Sequence, residues 1–152
     1  MTIENILKKL NIELPKAPDP VGSYVAVAVA GDLIFISGQV SFNKDGKLIK
    51  GKIGKELNIE QGQEAAKYCA LNLLAQLKKA CNGNLDKVKK CIKITGYVNS
   101  IDTFIDQPKV INGASDLISN VFGEKGKHAR AAVSASSLPL GAAVEIEGIF
   151  QI

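Results

Sequence analysis

A chain of 152 residues suffices for one domain with a substantial core, and 46% hydrophobic with 22% charged residues is the balance of a soluble globular protein. The net charge of +4 comes from lysines scattered along the chain, and with 5% aromatics and no Trp this argues against a nucleic-acid stripe or a base-stacking platform. No apolar run approaches a membrane span, and no apolar stretch opens the chain as a signal peptide would.

Apolar positions at Ile3, Ile6, Leu7 and Leu10 have helical spacing, with Thr2 as N-cap. Pro15, Pro18 and Pro20 then forbid regular structure up to Val21, which divides the chain into a helix and strap over residues 1–20 and a main domain over 21–152. Tyr24 to Ala30 and Leu33 to Val40 read as strands joined by a tight turn at Gly31-Asp32. A turn at Asn43-Lys44-Asp45-Gly46 starts a loop rich in Gly and Lys that runs to about Asn58. Asn58 and Gln61 form a capping pair before a helix whose stripe is Ala66, Cys69, Ala70, Leu73, Leu74 and Leu77, ended by Asn82-Gly83.

Lys87 to Val98 alternates, with Val88, Ile92, Ile94 and Val98 facing one way and Lys87, Lys89, Lys93 and Tyr97 the other, which predicts a half-buried strand. Pro108 opens a second helix in which Val110, Ile111, Ala114, Leu117, Ile118 and Val121 recur at three and four, and Gly123 closes it. Strands over about Arg130 to Ser136 and Ala143 to Ile152 finish the chain. Each long helix has a single apolar face, so both belong on one side of one sheet, a two-layer α+β domain. Cys69, Cys81 and Cys91 are odd in number, lie in apolar contexts and lack metal-ligand spacing, which predicts buried thiols in a reduced, cytoplasmic protein.

The run from Arg130 to Glu147 carries most of the chemistry. A fork-shaped cation opens one strand, a Leu-Pro turn follows, and the next strand holds Glu145 and Glu147 among apolar residues. Pairing the two strands would set an anion receptor and a carboxylate on opposite sides of one pocket, where a small carboxylic acid is held and a water activated. The plainer alternative is a structural ion pair between Arg130 and Glu145 or Glu147.

Four segments in order, Gly22-Ser23-Tyr24-Val25, Ile36-Ser37-Gly38-Gln39-Val40, Val110-Ile111-Asn112-Gly113-Ala114 and the Arg130 to Glu147 run, resemble the RidA family (reactive intermediate deaminases, also called YjgF-like) over about Val21 to Ile152. The Ser-Gly-Gln strand end and the Arg…Leu-Pro…Val-Glu-Ile-Glu tail are its specific parts, and the added N-terminal helix and strap resemble a longer branch. The resemblance implies a chorismate-mutase-like fold, a homotrimer whose sheets form an inner barrel, and sites in clefts between subunits. The implied activity is hydrolysis of 2-imino acids and their enamine tautomers to 2-oxo acids and ammonia, without metal or organic cofactor, pyridoxal phosphate included.

In that reading Arg130 binds the substrate carboxylate through charge-assisted hydrogen bonds of about 1.5–3 kcal/mol. Glu145 orients the water and takes its proton, and Tyr24 donates to the substrate nitrogen or the water. Ser37, Gly38 and Gln39 line the pocket, with Gly38 permitting close backbone approach. Asn112 holds the amine end of the substrate or only satisfies backbone groups, and a carbonyl near Ala132 is a second acceptor for the water. Many relatives carry Cys where this chain has Ala132, so the chemistry needs no thiol. Glu147 is assigned to surface or interface. His128, the sole histidine, has no Ser or Cys beside it in sequence to complete a dyad and reads as structural or as a modulator of Arg130. The partners implied are a small carboxylate-bearing substrate and further copies of the chain, with no membrane and no nucleic acid. Other readings stay open: a non-enzymatic receptor for 2-oxo acids, a translation-inhibiting or endoribonuclease activity and, on fold analogy alone, a chorismate mutase.

Overall fold

The computed structural model describes residues 1–152 as a five-stranded sheet covered on one face by two long helices. In chain order the elements are α1 (Ile3–Lys9), β1 (Val27–Ala30), β2 (Leu33–Val40), α2 (Ile59–Ala80), β3 (Lys90–Asn99), α3 (Gln107–Phe122), β4 (Ala129–Ala135) and β5 (Val144–Gln151), with short 3₁₀ turns at Leu85–Lys87, Gly123–Gly126 and Pro139–Gly141. The predicted α+β class holds. So do the stops and starts that depend on local chemistry. Thr2 Oγ1 accepts from Asn5 N, and Asn58 and Gln61 form a reciprocal capping box. Asn82 and Gly83 lie at φ 55° and 83°, Gly123 at φ 59°.

The strand order is β1-β2-β5-β3-β4, with every pair antiparallel except β3 and β4. The two final strands are therefore not partners, contrary to the sequence reading, because β3 lies between them. The reason is the connection. β3 returns through α3, and a helical crossover delivers the next strand parallel, so β4 lies alongside β3 at the sheet edge. The Pro139–Gly141 turn then reverses the chain, and β5 enters the centre between β2 and β3.

Two boundaries also differ. Regular pairing of the first strand starts at Val27 and not at Tyr24, because β2 bulges between Ile36 and Gln39 and beyond Ile36 pairs only with β5. In β3 a second irregularity between Cys91 and Lys93 breaks the alternation, so Cys91 is buried while Ile92 is only partly so, and Lys87 falls in the preceding 3₁₀ turn.

The core between sheet and helices includes Ile34, Ile94, Ile146 and Phe150 from the strands and Leu73, Leu74, Leu77, Ile111 and Ile118 from the helices. All three cysteines are buried free thiols. The N-terminal helix is docked: Leu7 joins the core, Ile3 N donates to Asp86 Oδ1 at 2.8 Å, Glu4 pairs with Lys78, and Gln76 donates to the Pro18 carbonyl of the strap. No helix is long and apolar enough to cross a membrane.

Glycines set how tightly α3 lies. A Cβ on Gly96 of β3 would stand 2.4 Å from Ile111 Cδ1, and one on Gly113 of α3 would stand 2.1 Å from the Gln63 carbonyl oxygen of α2. The second obstacle is backbone and has no rotamer to yield. Gly113→Ala is expected to cost about 1–3 kcal/mol, as overpacking typically does, read as a lower urea midpoint with an unchanged m-value.

Candidate active site

Arg130 is held firmly. It stands opposite Ile94, which stands opposite Gly148, which stands opposite Ile36, and Ile36 and Ile94 are buried beneath the helices. The side chain on that face reaches α3. Nη1 donates to Asn112 Oδ1 at 2.8 Å and to Ser115 Oγ at 3.2 Å, and Nη2 donates to the Pro108 carbonyl at 3.3 Å. All three acceptors are neutral, and neither Glu145 nor Glu147 pairs with it, so the structural ion pair is ruled out. A guanidinium has five N–H groups, so two remain for a ligand. Asn112 is thereby a clamp on Arg130. Ala132, two residues along β4, stands opposite Gly96.

Ser115 is the residue that sequence reasoning missed. Its Oγ lies 2.9 Å from His128 Nε2, and His128 Nδ1 lies 2.6 Å from the Gly126 carbonyl. The dyad partner that His128 lacks in its own stretch comes from α3, thirteen residues earlier. The available signal was the spacing: Asn112 and Ser115 are i and i+3 on one helix face.

The remaining predicted residues gather elsewhere. Glu145 stands opposite Val40 on one side and Tyr97 on the other, and its neighbours Val144 and Ile146 are buried under the helices, so Glu145 faces the uncovered side of the sheet. Its carboxylate lies over the β2 bulge, where a Cβ on Gly38 would come within 2.2 Å of Oε1. Gly38 is thus required for a carboxylate at that place. Ser37 Oγ donates to the Val25 carbonyl at 2.7 Å, tying the irregular stretch that carries Tyr24 to β2. Gln39 is buried and donates to the Ser37 carbonyl. Tyr24 is 49% exposed, and its phenolic oxygen accepts from Val21 N at 3.3 Å, which leaves its own hydrogen free to donate. Glu147 accepts from Tyr97 at 3.1 Å on the same open face.

Within one chain the predicted site residues therefore form two groups. Arg130, Asn112 and Ala132 sit where β4 meets α3. Tyr24, Ser37, Gly38, Gln39 and Glu145 sit around the β2 bulge. Arg130 and Glu145 lie two strands apart, point to opposite faces, and are offset by three residues along β5, so the single pocket expected from pairing their strands does not form. A cleft of about 670 Å³ lies elsewhere, between the strap and α2, and is lined by residues such as Leu14, Phe42 and Tyr68.

Burial first, and then the neighbouring Glu147, raise the carboxyl of Glu145 above the ordinary range. Tyr97 is raised too, by burial first and then by its hydrogen bond to Glu147.

A two-layer α+β domain with a one-sided mixed sheet, and with an arginine clamped by the crossover helix, is the class of protein these features define. The sequence profile of the family described as "YjgF/chorismate_mutase-like, putative endoribonuclease" matches residues 4–149, and the chain belongs to this YjgF/RidA family. It is 43% identical to Protein TCP17 of Trypanosoma cruzi over 96% of this chain and 91% of that one. A solved structure of the protein Atu1372 from Agrobacterium tumefaciens, of unknown function, superposes with a TM-score of 0.91 at 44% identity, covering 99% of this chain and 94% of the other. The 2-iminobutanoate/2-iminopropanoate deaminase of Rattus norvegicus is 28% identical over 97% of this chain and 92% of its own.

Because the folded-state value of Glu145 is raised, its contribution to stability is fully present below the unfolded glutamate value of about 4.3 and is lost as pH rises through the folded value. Glu145→Gln should therefore melt higher than wild type at pH 7, with the gain shrinking as pH falls through the folded value and gone below about 4. Melting curves of both proteins across that range measure it.

Proposed function

We propose that this chain is a deaminase for small 2-imino acids and their enamine tautomers, releasing a 2-oxo acid and ammonia. The observation that carries the reading is Arg130, clamped by three neutral acceptors with two N–H groups left over and no carboxylate of its own. Such a group is preorganised for a small carboxylate. Family membership and a relative named as a 2-iminobutanoate/2-iminopropanoate deaminase support the substrate class.

The chemistry follows from the residues. Arg130 binds the carboxylate, with Asn112 holding the guanidinium and the backbone at Ala132 beside it. Glu145 accepts a proton from water as the oxygen attacks the imine carbon and the imine nitrogen takes up a proton. Glu145 then returns its proton to the amine, and collapse of the carbinolamine forms the C=O bond, breaks the C–N bond and expels ammonia, the hydroxyl proton restoring the donor that protonated the imine nitrogen. Burial and Glu147 push the Glu145 carboxyl upward, toward the working pH of a general base. Tyr24 donates to the nitrogen or the water, and Ser37, Gly38 and Gln39 shape the wall. No step calls for a metal or an organic cofactor.

The separation of Arg130 from Glu145 within one chain supports a site completed between copies, Arg130 from one and Glu145 from the next. The uncovered sheet face, with Phe35 40% and Val133 44% exposed, supplies apolar surface for packing copies as a homotrimer. Three buried free thiols suit a reducing, cytoplasmic setting.

The test is pyruvate release from 2-iminopropionate, generated in situ from serine by a dehydratase and followed in competition with semicarbazide. Wild type should accelerate it, and Arg130→Ala should lose the acceleration while keeping its fold by circular dichroism. Glu145→Gln should lower kcat about 10²- to 10⁴-fold with KM little changed. Binding of 2-oxo acids without acceleration would make the protein a receptor instead. Sedimentation equilibrium should return three times the 16.1 kDa chain mass, and a monomer would sink the shared site.

A further inference from the structure

We propose that His128, acting through Ser115, is a positioning residue that sets the orientation of Arg130 for its ligand. The inference rests on the carboxylate-binding reading of Arg130 and adds to it a second pair of residues. Two periodicities bring the four side chains together. His128 stands just before β4 and Arg130 two residues on within it, both side chains reaching Ser115, and Asn112 and Ser115 are three apart on α3 and share a face.

The direction of each hydrogen bond follows from the end that has no choice. The Gly126 carbonyl only accepts, so His128 Nδ1, 2.6 Å away, carries a proton. In the neutral ring Nε2 then holds a lone pair, and at 2.9 Å it takes the hydroxyl hydrogen of Ser115. With its hydrogen committed, Ser115 Oγ turns a lone pair to Arg130 Nη1 at 3.2 Å. A helical serine without such a partner tends to turn its hydroxyl to the carbonyl four residues back. The imidazole prevents this and keeps Oγ beside Nη1. Asn112 takes the other hydrogen of Nη1 and Pro108 holds Nη2, so the plane of the guanidinium is fixed and its remaining N–H groups have a set direction. A preoriented fork loses less freedom on binding a planar carboxylate than a mobile one.

The chain has one histidine, so its imidazole signals are unambiguous. In the full-length protein, long-range ¹H–¹⁵N correlation should show the neutral ring with Nδ1 protonated and Nε2 bare. Rotation of the Arg130 guanidinium, read from its Nη resonances, should quicken several-fold in Ser115→Ala and in His128→Ala. Ser115→Thr, which keeps the hydroxyl, should restore the wild-type rate. The dissociation constant for 2-oxobutanoate should rise up to about tenfold in the two alanine variants, the effect of losing one neutral hydrogen bond, and recover in Ser115→Thr. An Nε2-protonated ring, or Arg130 rotation indifferent to both alanine variants, overturns the positioning role. Absence of 2-oxobutanoate binding by wild type, with rotation responding as expected, overturns the carboxylate reading and leaves the positioning of Arg130 standing.

Discussion

The close approach of α3 to its neighbours is the constraint on which the candidate site depends. Gly96 lets Ile111 sit against β3, and Gly113 lets α3 meet the backbone of α2 at Gln63. Only at that separation do Asn112 and Ser115 stand within hydrogen-bonding distance of a guanidinium on the adjoining edge strand. The crossover that ties α3 to β4 also makes β4 parallel to β3, so one topological feature supplies both the arginine and its clamp. Arg130 is partly desolvated and held through three of its five N–H groups, which gives a cation that neither collapses onto a carboxylate nor swings freely in solvent.

The other face of the sheet follows different physics. It has no helix layer, yet it carries Phe35, Tyr97 and Val133 beside Glu145 and Glu147. A carboxylate over the Gly38 bulge, half-buried and next to a second carboxylate, is poised closer to neutrality than an exposed glutamate. Placing Glu145 on the open face and Arg130 on the helix-covered face keeps the two from neutralising each other within one chain.

Much of this was legible in the residues. The caps at Thr2 and Asn58, the positive-φ stops at Asn82-Gly83 and Gly123, and the stripes of α2 and α3 are local, so nearest neighbours in sequence determine them. The family motifs, too, are short strings. The errors have a common origin in pairing. Tyr24 reads as strand because Tyr24 to Ala30 is β-rich, but the partner strand bulges before it can pair. Ile92 reads as core by alternation, but one irregular residue in β3 exchanges it for Cys91. A bulge costs little locally and shifts every side chain beyond it, and no string of one strand announces it.

The sequence by itself determined the class of fold, the family and the residue types at the site, because helix caps, hydrophobic periods and motif spacing are properties of contiguous residues. Tertiary structure alone decided that β5 inserts between β2 and β3, that Arg130 and Glu145 face opposite sides, and that Ser115 joins His128 to Arg130. Those outcomes depend on which strand edge is left open when the helices have packed, and on groups separated by thirteen to eighteen residues meeting across a helix–sheet interface. Burial of both helix stripes on one face selects that arrangement, and no local preference encodes it.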